Sequence, residues 1–164
     1  VALAIGDALA SVLMVRRGFD KEDFARNHPG GELGKQLALK VENIMHPIND
    51  VAQINNKDSI SSCAKKMTDN PLGAALLLEN GSLKGIVTEG DLRKSIASNL
   101  DLSNSIEPFI NDNPISIHSS VSILDAMKIM EDRSSKISCL PVIDSDGKCL
   151  GLLTIHDLYQ TKLV

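Results

Sequence analysis

The sequence predicts an α/β fold made of two copies of one small module, and two observations support this prediction. Residues 85–92, Gly-Ile-Val-Thr-Glu-Gly-Asp-Leu, return as residues 151–158, Gly-Leu-Leu-Thr-Ile-His-Asp-Leu. Upstream of both segments the apolar positions repeat as well, with Ile60, Cys63, Ala64 and Met67 matched by Ile123, Ala126, Met127 and Met130. A unit of about 60 residues buries only about 60% of its unfolded surface. We therefore expect the two copies to pack together as one body.

The first module covers about residues 41–100 and has the pattern strand, helix, strand, strand, helix. Its first helix is predicted from apolar residues at positions i, i+3, i+4 and i+7, and its hairpin from an Asn-Gly turn between two apolar runs. The expected elements are a strand over 51–54, a helix capped by Asp58 or Ser59, strands over 74–78 and 83–87, and a helix that starts at Thr88.

The second module covers about residues 105–164 and repeats this order. Here the turn between the last two strands is Asp-Ser-Asp-Gly, a sequence typical of a hairpin. The expected elements are a strand over 115–117, a helix over 121–130, strands over 140–143 and 149–153, and a helix that starts at Thr154. With β-α-β-β-α in each copy, we expect two three-stranded sheets, packed by their helices around a pseudo-twofold axis.

The residues before the first module have a different pattern. Residues 2–17 predict an amphipathic helix that ends at Gly18, since glycine tolerates the left-handed conformation common after a helix. A second helix is predicted over 20–26, followed by a His-Pro-Gly-Gly loop over 28–31 and a further short helix. Val1 begins in mid-pattern without an initiator methionine. The chain is therefore expected to be the carboxyl-terminal piece of a longer protein.

Composition argues against several classes of protein. With 43% hydrophobic and 23% charged residues the chain is typical of a globular domain, and no apolar run reaches the roughly 18 residues of a membrane span, so we expect a cytoplasmic protein without a membrane partner. A formal net charge of -4, with three Phe and one Tyr, argues against nucleic acid as a partner.

Three cysteines without C-x-x-C spacing indicate reduced thiols. No metal site is expected from the scattered histidines His46, His118 and His156.

The duplicated module resembles a known family. The opening residues 41–45, Val-Glu-Asn-Ile-Met, and the two G-h-h-T-x-x-D-L segments, where h is a hydrophobic residue, are similar to those of tandem cystathionine-beta-synthase (CBS) domains. The resemblance implies a CBS pair with module 1 over 41–100 and module 2 over 105–164. The second copy departs from the pattern, with Phe109 and Ile110 at its opening and extra residues after its first helix.

A second resemblance concerns residues 1–40. The run over 17–34, Arg-Gly-Phe-Asp-Lys-Glu-Asp-Phe-Ala-Arg-Asn-His-Pro-Gly-Gly-Glu-Leu-Gly, resembles the end of the sugar isomerase (SIS) domain of D-arabinose 5-phosphate isomerases, in which a CBS pair follows. It implies that residues 1–40 are the carboxyl-terminal helices of a truncated SIS domain. The parent enzyme would interconvert D-ribulose 5-phosphate and D-arabinose 5-phosphate for the lipopolysaccharide sugar Kdo. The resemblance also implies a tetrameric homo-oligomer that needs no cofactor for catalysis.

His28 is the candidate catalytic residue. A loop histidine before proline is most often exposed and without a role, although its pKa near about 6.5 suits the proton transfers of aldose-ketose isomerisation. The resemblance implies that the parent enzyme uses this histidine. The lysine and acidic residues that the family also requires would lie before Val1, so this chain alone is expected to be inactive.

The repeated Thr-x-x-Asp supplies the candidate binding residues. Thr88 with Asp91, and Thr154 with Asp157, match a capping box, which stabilises a helix start by about 1 kcal/mol. A helix start after a strand also binds anions, and an aspartate there can accept hydrogen bonds from a ribose diol. The CBS resemblance implies that these residues contact the phosphate and ribose of a nucleotide. It also implies a phosphate role for Lys136 in the cleft between modules, although a surface lysine is usually only solvated charge.

The resemblances together imply a regulatory function. A nucleotide between the modules would bias the state of the isomerase, which requires different affinities for two states. CMP-activated Kdo, a nucleotide sugar from later in the pathway, is the first expected ligand, and AMP or ATP the next. The alternative is a structural CBS pair that holds an oligomer together and binds no ligand. A free-standing energy-sensing CBS protein is a third interpretation, which leaves the His-Pro-Gly-Gly segment unexplained.

Overall fold

The chain divides into two compact units, Val1–Leu39 and Lys40–Val164. The computed structural model describes residues 2–19, 23, 39–98 and 100–161.

The first unit contains helix α1 (Ala2–Arg17), which confirms the helix predicted from the sequence. It ends at Gly18, whose φ of +61° is the left-handed conformation expected after a helix. The side chains from Leu3 to Arg17 are all exposed, so the helix has no buried apolar face within the unit. The other predictions made for this part of the chain, including the loop with His28, lie outside the described residues.

The second unit contains the two modules in the predicted order. A two-residue strand, β1 (His46–Pro47), comes first. The first module continues with β2 (Ala52–Ile54), α2 (Ile60–Asp69), β3 (Ala74–Glu79), β4 (Ser82–Thr88) and α3 (Glu89–Ala97). The second contains β5 (Ile117–His118), α4 (Ile123–Glu131), β6 (Cys139–Ile143), β7 (Cys149–Thr154) and α5 (Ile155–Gln160).

Local sequence explains how most of these elements begin and turn. Ser59 caps α2, because its Oγ accepts a hydrogen bond of 3.1 Å from the backbone N–H of Ser62. The β3–β4 hairpin turns at Asn80 and Gly81, with φ values of +51° and +82°. Two successive residues with positive φ define the hairpin turn that an Asn-Gly pair favours. The predicted cap and the predicted turn are both confirmed.

Two predicted boundaries in the second module are wrong. The strand expected over 115–117 starts only at Ile117, as β5. Its parallel pairing with β6 begins there, with Ile117 opposite Val142. The helix expected from residue 121 starts at Ile123, after its cap Ser122. Val121 lies outside this helix, and its carbonyl accepts a hydrogen bond from the N–H of Val41 in the first module.

The opening segments of the two modules are exchanged. Strand β1 pairs with β7, with His46 opposite Leu152. In the reverse direction Ile106, at the opening of the second module, donates its N–H to the carbonyl of Asp58 in the first. The second sheet therefore has four strands in the order β1-β7-β6-β5, and the first has three in the order β2-β3-β4. The prediction of two three-stranded sheets is wrong because one strand crosses to the other module.

The sheets of the two modules pack against each other, so the prediction that helices pack the two sheets together is wrong. Residues of β3 and β4 contribute one apolar face to a cluster with β6 and β7 that contains Leu76, Ile86, Cys139, Cys149 and Leu152. The opposite face of the first sheet packs on α2, through Ala75 and Val87. Alternate strand residues thus face the partner sheet and the helices, as the pleat requires. The starts of β4 and β7 meet between the modules, where the N–H of Cys149 donates to the carbonyl of Gly81 over 2.9 Å.

Candidate functional site

Two clefts lie where the modules meet. The larger, about 560 Å³, contains His46 and His156 in its walls, and we call it the histidine cleft. The smaller, about 330 Å³, contains Arg133 and Lys136, and we call it the lysine cleft. Thr88 lines both clefts. The larger volume is within the range of about 300–1,000 Å³ typical of small-molecule sites.

The histidine cleft brings together the starts of two helices. Thr88 before α3 and Thr154 before α5 both line it. The first N–H of each helix is already occupied, since Glu89 donates to the carbonyl of Gly73 over 3.2 Å and Ile155 donates to Ser138 over 2.9 Å. Helix starts have a positive dipole end. The cleft therefore presents two such ends, from different modules, to the same space.

Asp157 also lines the histidine cleft, and its carboxylate is heavily engaged. Its Oδ2 accepts hydrogen bonds from the N–H of Thr154 over 2.8 Å and from the Thr154 hydroxyl over 2.7 Å. Its Oδ1 lies 3.0 Å from Nε2 of His46, a residue of the first module. The predicted capping box is present, because Thr154 Oγ1 in turn accepts from the Asp157 N–H. A helix cap and a hydrogen bond between the modules share one carboxylate.

Asp91 occupies the corresponding position in the first module but lines neither cleft. Its Oδ2 accepts from the N–H and hydroxyl of Thr88, and its Oδ1 accepts from Nζ of Lys94 over 3.0 Å. Burial acts to raise the pKa of Asp91, but the hydrogen bonds from Thr88 and Lys94 outweigh it and hold that pKa below its usual value. Each aspartate accepts from the N–H and hydroxyl of its threonine, and the two differ in their third partner.

Lys136 lines the lysine cleft together with Thr88, as the family resemblance implies. Its Nζ is paired with the carboxylate of Glu131 at the end of α4. The hydrogen bond between them raises the pKa of Lys136 and lowers that of Glu131. Glu131 also accepts a hydrogen bond of 3.3 Å from the Tyr159 hydroxyl. Lys136 would have to leave this pair to reach a phosphate.

The structure adds site residues that the sequence analysis did not select. His46 was considered only as an isolated histidine, and its pairing with Asp157 depends on the exchanged opening segment. Arg93 lines the histidine cleft from the second turn of α3, and His156 lines it from the first turn of α5. Both residues lie close in sequence to a Thr-x-x-Asp motif, and this position could have predicted that they line the cleft.

Neither a metal centre nor a membrane segment was found in the parts of the chain that the structure describes. Over residues 2–19, 23, 39–98 and 100–161, His, Cys, Asp and Glu do not gather in groups of three or more that could hold a metal ion. Within the same ranges, every helix is too short or too polar to cross a bilayer.

Two β-α-β-β-α modules that pack through their sheets, with a repeated Thr-x-x-Asp at the clefts between them, define a tandem CBS pair. The family model for the CBS domain matches residues 41–98 and 106–162. The chain belongs to the CBS domain family. Among curated proteins, arabinose 5-phosphate isomerase KdsD of Pseudomonas aeruginosa is 40% identical over 166 residues, which cover 100% of this chain and 50% of that protein. The chain spans about half the length of the curated relatives it matches.

Solved structures show the same fold. CBSX2 of Arabidopsis thaliana, solved in complex with AMP, has a TM-score of 0.63 at 19% identity, over 77% of this chain and 97% of that one. The CBS domain pair of protein MJ0100, solved in complex with 5′-methylthioadenosine and S-adenosyl-L-methionine, has a TM-score of 0.66 at 23% identity, over 76% and 95% of the two chains. These similarities establish the fold.

Proposed function

We propose that this chain is the regulatory CBS pair of an arabinose 5-phosphate isomerase and that it binds a nucleotide in the histidine cleft. The observation that supports this most directly is the convergence of two helix starts and the Asp157 carboxylate on one cleft of about 560 Å³. The relatives of known activity are isomerases, and structural neighbours were solved with AMP or S-adenosyl-L-methionine. CMP-Kdo is the nucleotide sugar to test first, followed by AMP and ATP.

The chemistry of the cleft suits the parts of a nucleotide. A phosphate can bind at the start of α3, where the helix dipole and the Arg93 guanidinium favour negative charge against the Glu89 carboxylate that lines the same cleft. The ribose hydroxyls can donate to Asp157. Leu72 and Ile155 offer apolar surface for the base in the same cleft. Each part of the ligand thus has a partner of matching chemistry.

The lysine cleft is the second proposed site. Arg133 and Lys136 place two cations in this cleft. Thr88, which also lines the histidine cleft, forms part of its wall. Asp91 does not line this cleft, and Lys136 would meet a ligand here only after Glu131 releases it. We therefore place the first occupant in the histidine cleft.

We predict that Asp157→Asn lowers nucleotide affinity by roughly ten- to a hundredfold. The substitution removes a charged acceptor worth about 1.5–3 kcal/mol, and about 1.4 kcal/mol corresponds to a factor of ten. Stability should change little, because Asn still offers an oxygen to the Thr154 N–H. Isothermal titration calorimetry with CMP-Kdo, CMP, AMP and ATP measures the affinity, and thermal unfolding measures stability.

Asp91→Asn is the matched control for this experiment. Asp91 makes the same cap with Thr88 but lies outside the histidine cleft. It should leave affinity unchanged. Equal losses for the two variants would move the site to a position that both aspartates reach. A melting temperature that falls in Asp157→Asn without any change in affinity would reduce Asp157 to a helix cap.

The isomerase activity belongs, in this proposal, to a longer parent. His28 would act there as general acid or base, with residues 1–40 as the end of an SIS domain. We predict that the 164-residue chain alone does not interconvert ribulose 5-phosphate and arabinose 5-phosphate, because one member of an acid-base constellation cannot complete the reaction. A coupled assay beside a full-length isomerase measures this. Turnover above the blank would contradict it.

A structural CBS pair is the competing function. Its support is the exposed apolar side chains on the surface of the second unit, among them Ile96, Leu102 and Tyr159. These would favour assembly, including the tetramer of the proposed parent. If the chain binds no nucleotide and sedimentation shows an oligomer, this alternative replaces the sensor.

A further inference from the structure

The two Thr-x-x-Asp carboxylates differ in how they are held. A carboxylate has about four acceptor sites. In Asp157 three are occupied, by the N–H and hydroxyl of Thr154 and by His46. A ribose diol brings two donors, and the one remaining site is not enough for both. A diol can be accepted fully only if one existing partner leaves.

His46 is the partner that can leave. The two bonds from Thr154 close the start of α5, so breaking them would cost a helix cap. The imidazole of His46 is about one-third exposed, while Asp157 is 13% exposed, so the histidine is on the open side of the pair. In Asp91 the equivalent third partner is Lys94, an exposed side chain of the same helix. Moving Lys94 disturbs no other element.

Moving His46, in contrast, affects a short segment of the first module, whose other attachments include the fully buried side chain of Val41 and a bridge between Lys40 and Ser122. We call residues 40–47 the opening segment. It is joined to the second module by hydrogen bonds from the Val41 N–H to Val121 and from the Glu42 N–H to Ser119, both 2.9 Å, and by the two-residue pairing of β1 with β7. The His46–Asp157 pair is its side-chain link to the cleft. The same segment is continuous with the chain that precedes residue 40.

We propose that His46 is a displaceable plug of the histidine cleft: a nucleotide ribose takes its place on Asp157, and its release loosens the opening segment. The inference rests on the proposed nucleotide function and specifies how that site is regulated. Occupancy of the cleft between the modules is thereby passed to the segment that opens the first module.

The test uses the full 164-residue chain, with AMP as the probe. Without the plug, His46→Ala should bind AMP about threefold more tightly or better, as measured by calorimetry. His46→Gln, which keeps a donor for Asp157, should bind more weakly than His46→Ala. Lys94→Ala removes the third partner of Asp91 instead and is the matched control, with unchanged affinity. Circular dichroism establishes that each variant is folded.

Amide hydrogen exchange measures the coupling. In the wild type, AMP should speed the exchange of the Val41 and Glu42 amides by about threefold or more, since local opening sets the exchange rate. In His46→Ala these amides should already exchange fast, and AMP should add nothing. An affinity of His46→Ala equal to or below that of the wild type overturns the inference. So do wild-type amides that AMP leaves unchanged or slows.

The same titrations separate this inference from the proposed function. If the wild type binds AMP but fails either criterion above, only the plug is wrong. If neither the wild type nor His46→Ala binds any nucleotide, the proposed function fails and the plug fails with it. Binding by His46→Ala alone supports the plug, because it shows a site that the histidine keeps closed.

Discussion

Replacing Ile106 by alanine is expected to lower the free energy of unfolding by about 2–5 kcal/mol, the range for removing a large aliphatic side chain from a core. Ile106 belongs by sequence to the second module. Its side chain is fully buried in the core of the first, in one cluster with Ile60, Cys63 and Val87. Its N–H also donates a hydrogen bond to the carbonyl of Asp58, the residue before the cap of α2. The substitution therefore destabilises the first module, although Ile106 belongs by sequence to the second.

Urea unfolding followed by circular dichroism measures this loss, and Ile96→Ala supplies the control. Ile96 is on α3 and 59% exposed, so its truncation should cost less than about 0.5 kcal/mol. A cost below about 1 kcal/mol for Ile106→Ala would contradict the exchange of opening segments, since a core position typically costs more. A transition that splits into two steps would show that the modules unfold separately.

The regular elements of this fold were predictable because their signals are local. Apolar spacing defines α2, and an Asn-Gly pair defines the β3–β4 turn, so neither depends on a distant partner. Strand β1 has no such signal. It is only two residues long and contains Pro47, and it exists because β7 lies beside it. The start of α4 was missed for the same reason, since Val121 is held by Val41.

The candidate site was predictable to a similar extent. A repeated motif on two related modules predicted Thr88 and Thr154 as candidate binding residues, and both line the histidine cleft. The partner of Asp157 was not predictable, because His46 reaches it only through the exchanged segment. The ion pair of Lys136 was not predictable either. Its partner Glu131, the last residue of α4, competes with a phosphate for the lysine. The roles of all these residues toward a ligand remain predictions.

Adding one methyl group at Gly151 is expected to destabilise the protein by about 3 kcal/mol or more, at or above the usual range for overpacking. A Cβ built on Gly151 would clash with the backbone carbonyl oxygen of His46 and would lie 3.3 Å from Cα of Pro47. Both obstacles are main-chain atoms of β1, paired with β7 at this point. Neither can rotate away, so the variant must separate β1 from the sheet or shift β7.

The other glycines of the same motif make a graded series with Gly151→Ala. At Gly85 the added Cβ would meet the Cγ2 methyl of Ile110 at 2.5 Å, a side-chain atom that can shift although a β-branched residue is stiff, and the carbonyl oxygen of Asn111 at 3.1 Å. At Gly90 the nearest atom is Thr88 Oγ1 at 3.5 Å, an ordinary contact, and alanine favours the helix by about 1 kcal/mol. Thermal unfolding should therefore place Gly90→Ala near or above the wild type, Gly85→Ala below it, and Gly151→Ala lowest. If Gly151→Ala has the same melting temperature as Gly90→Ala, β1 does not pair with β7 at Gly151. The proposed coupling of the histidine cleft to the opening segment through His46 is then contradicted as well.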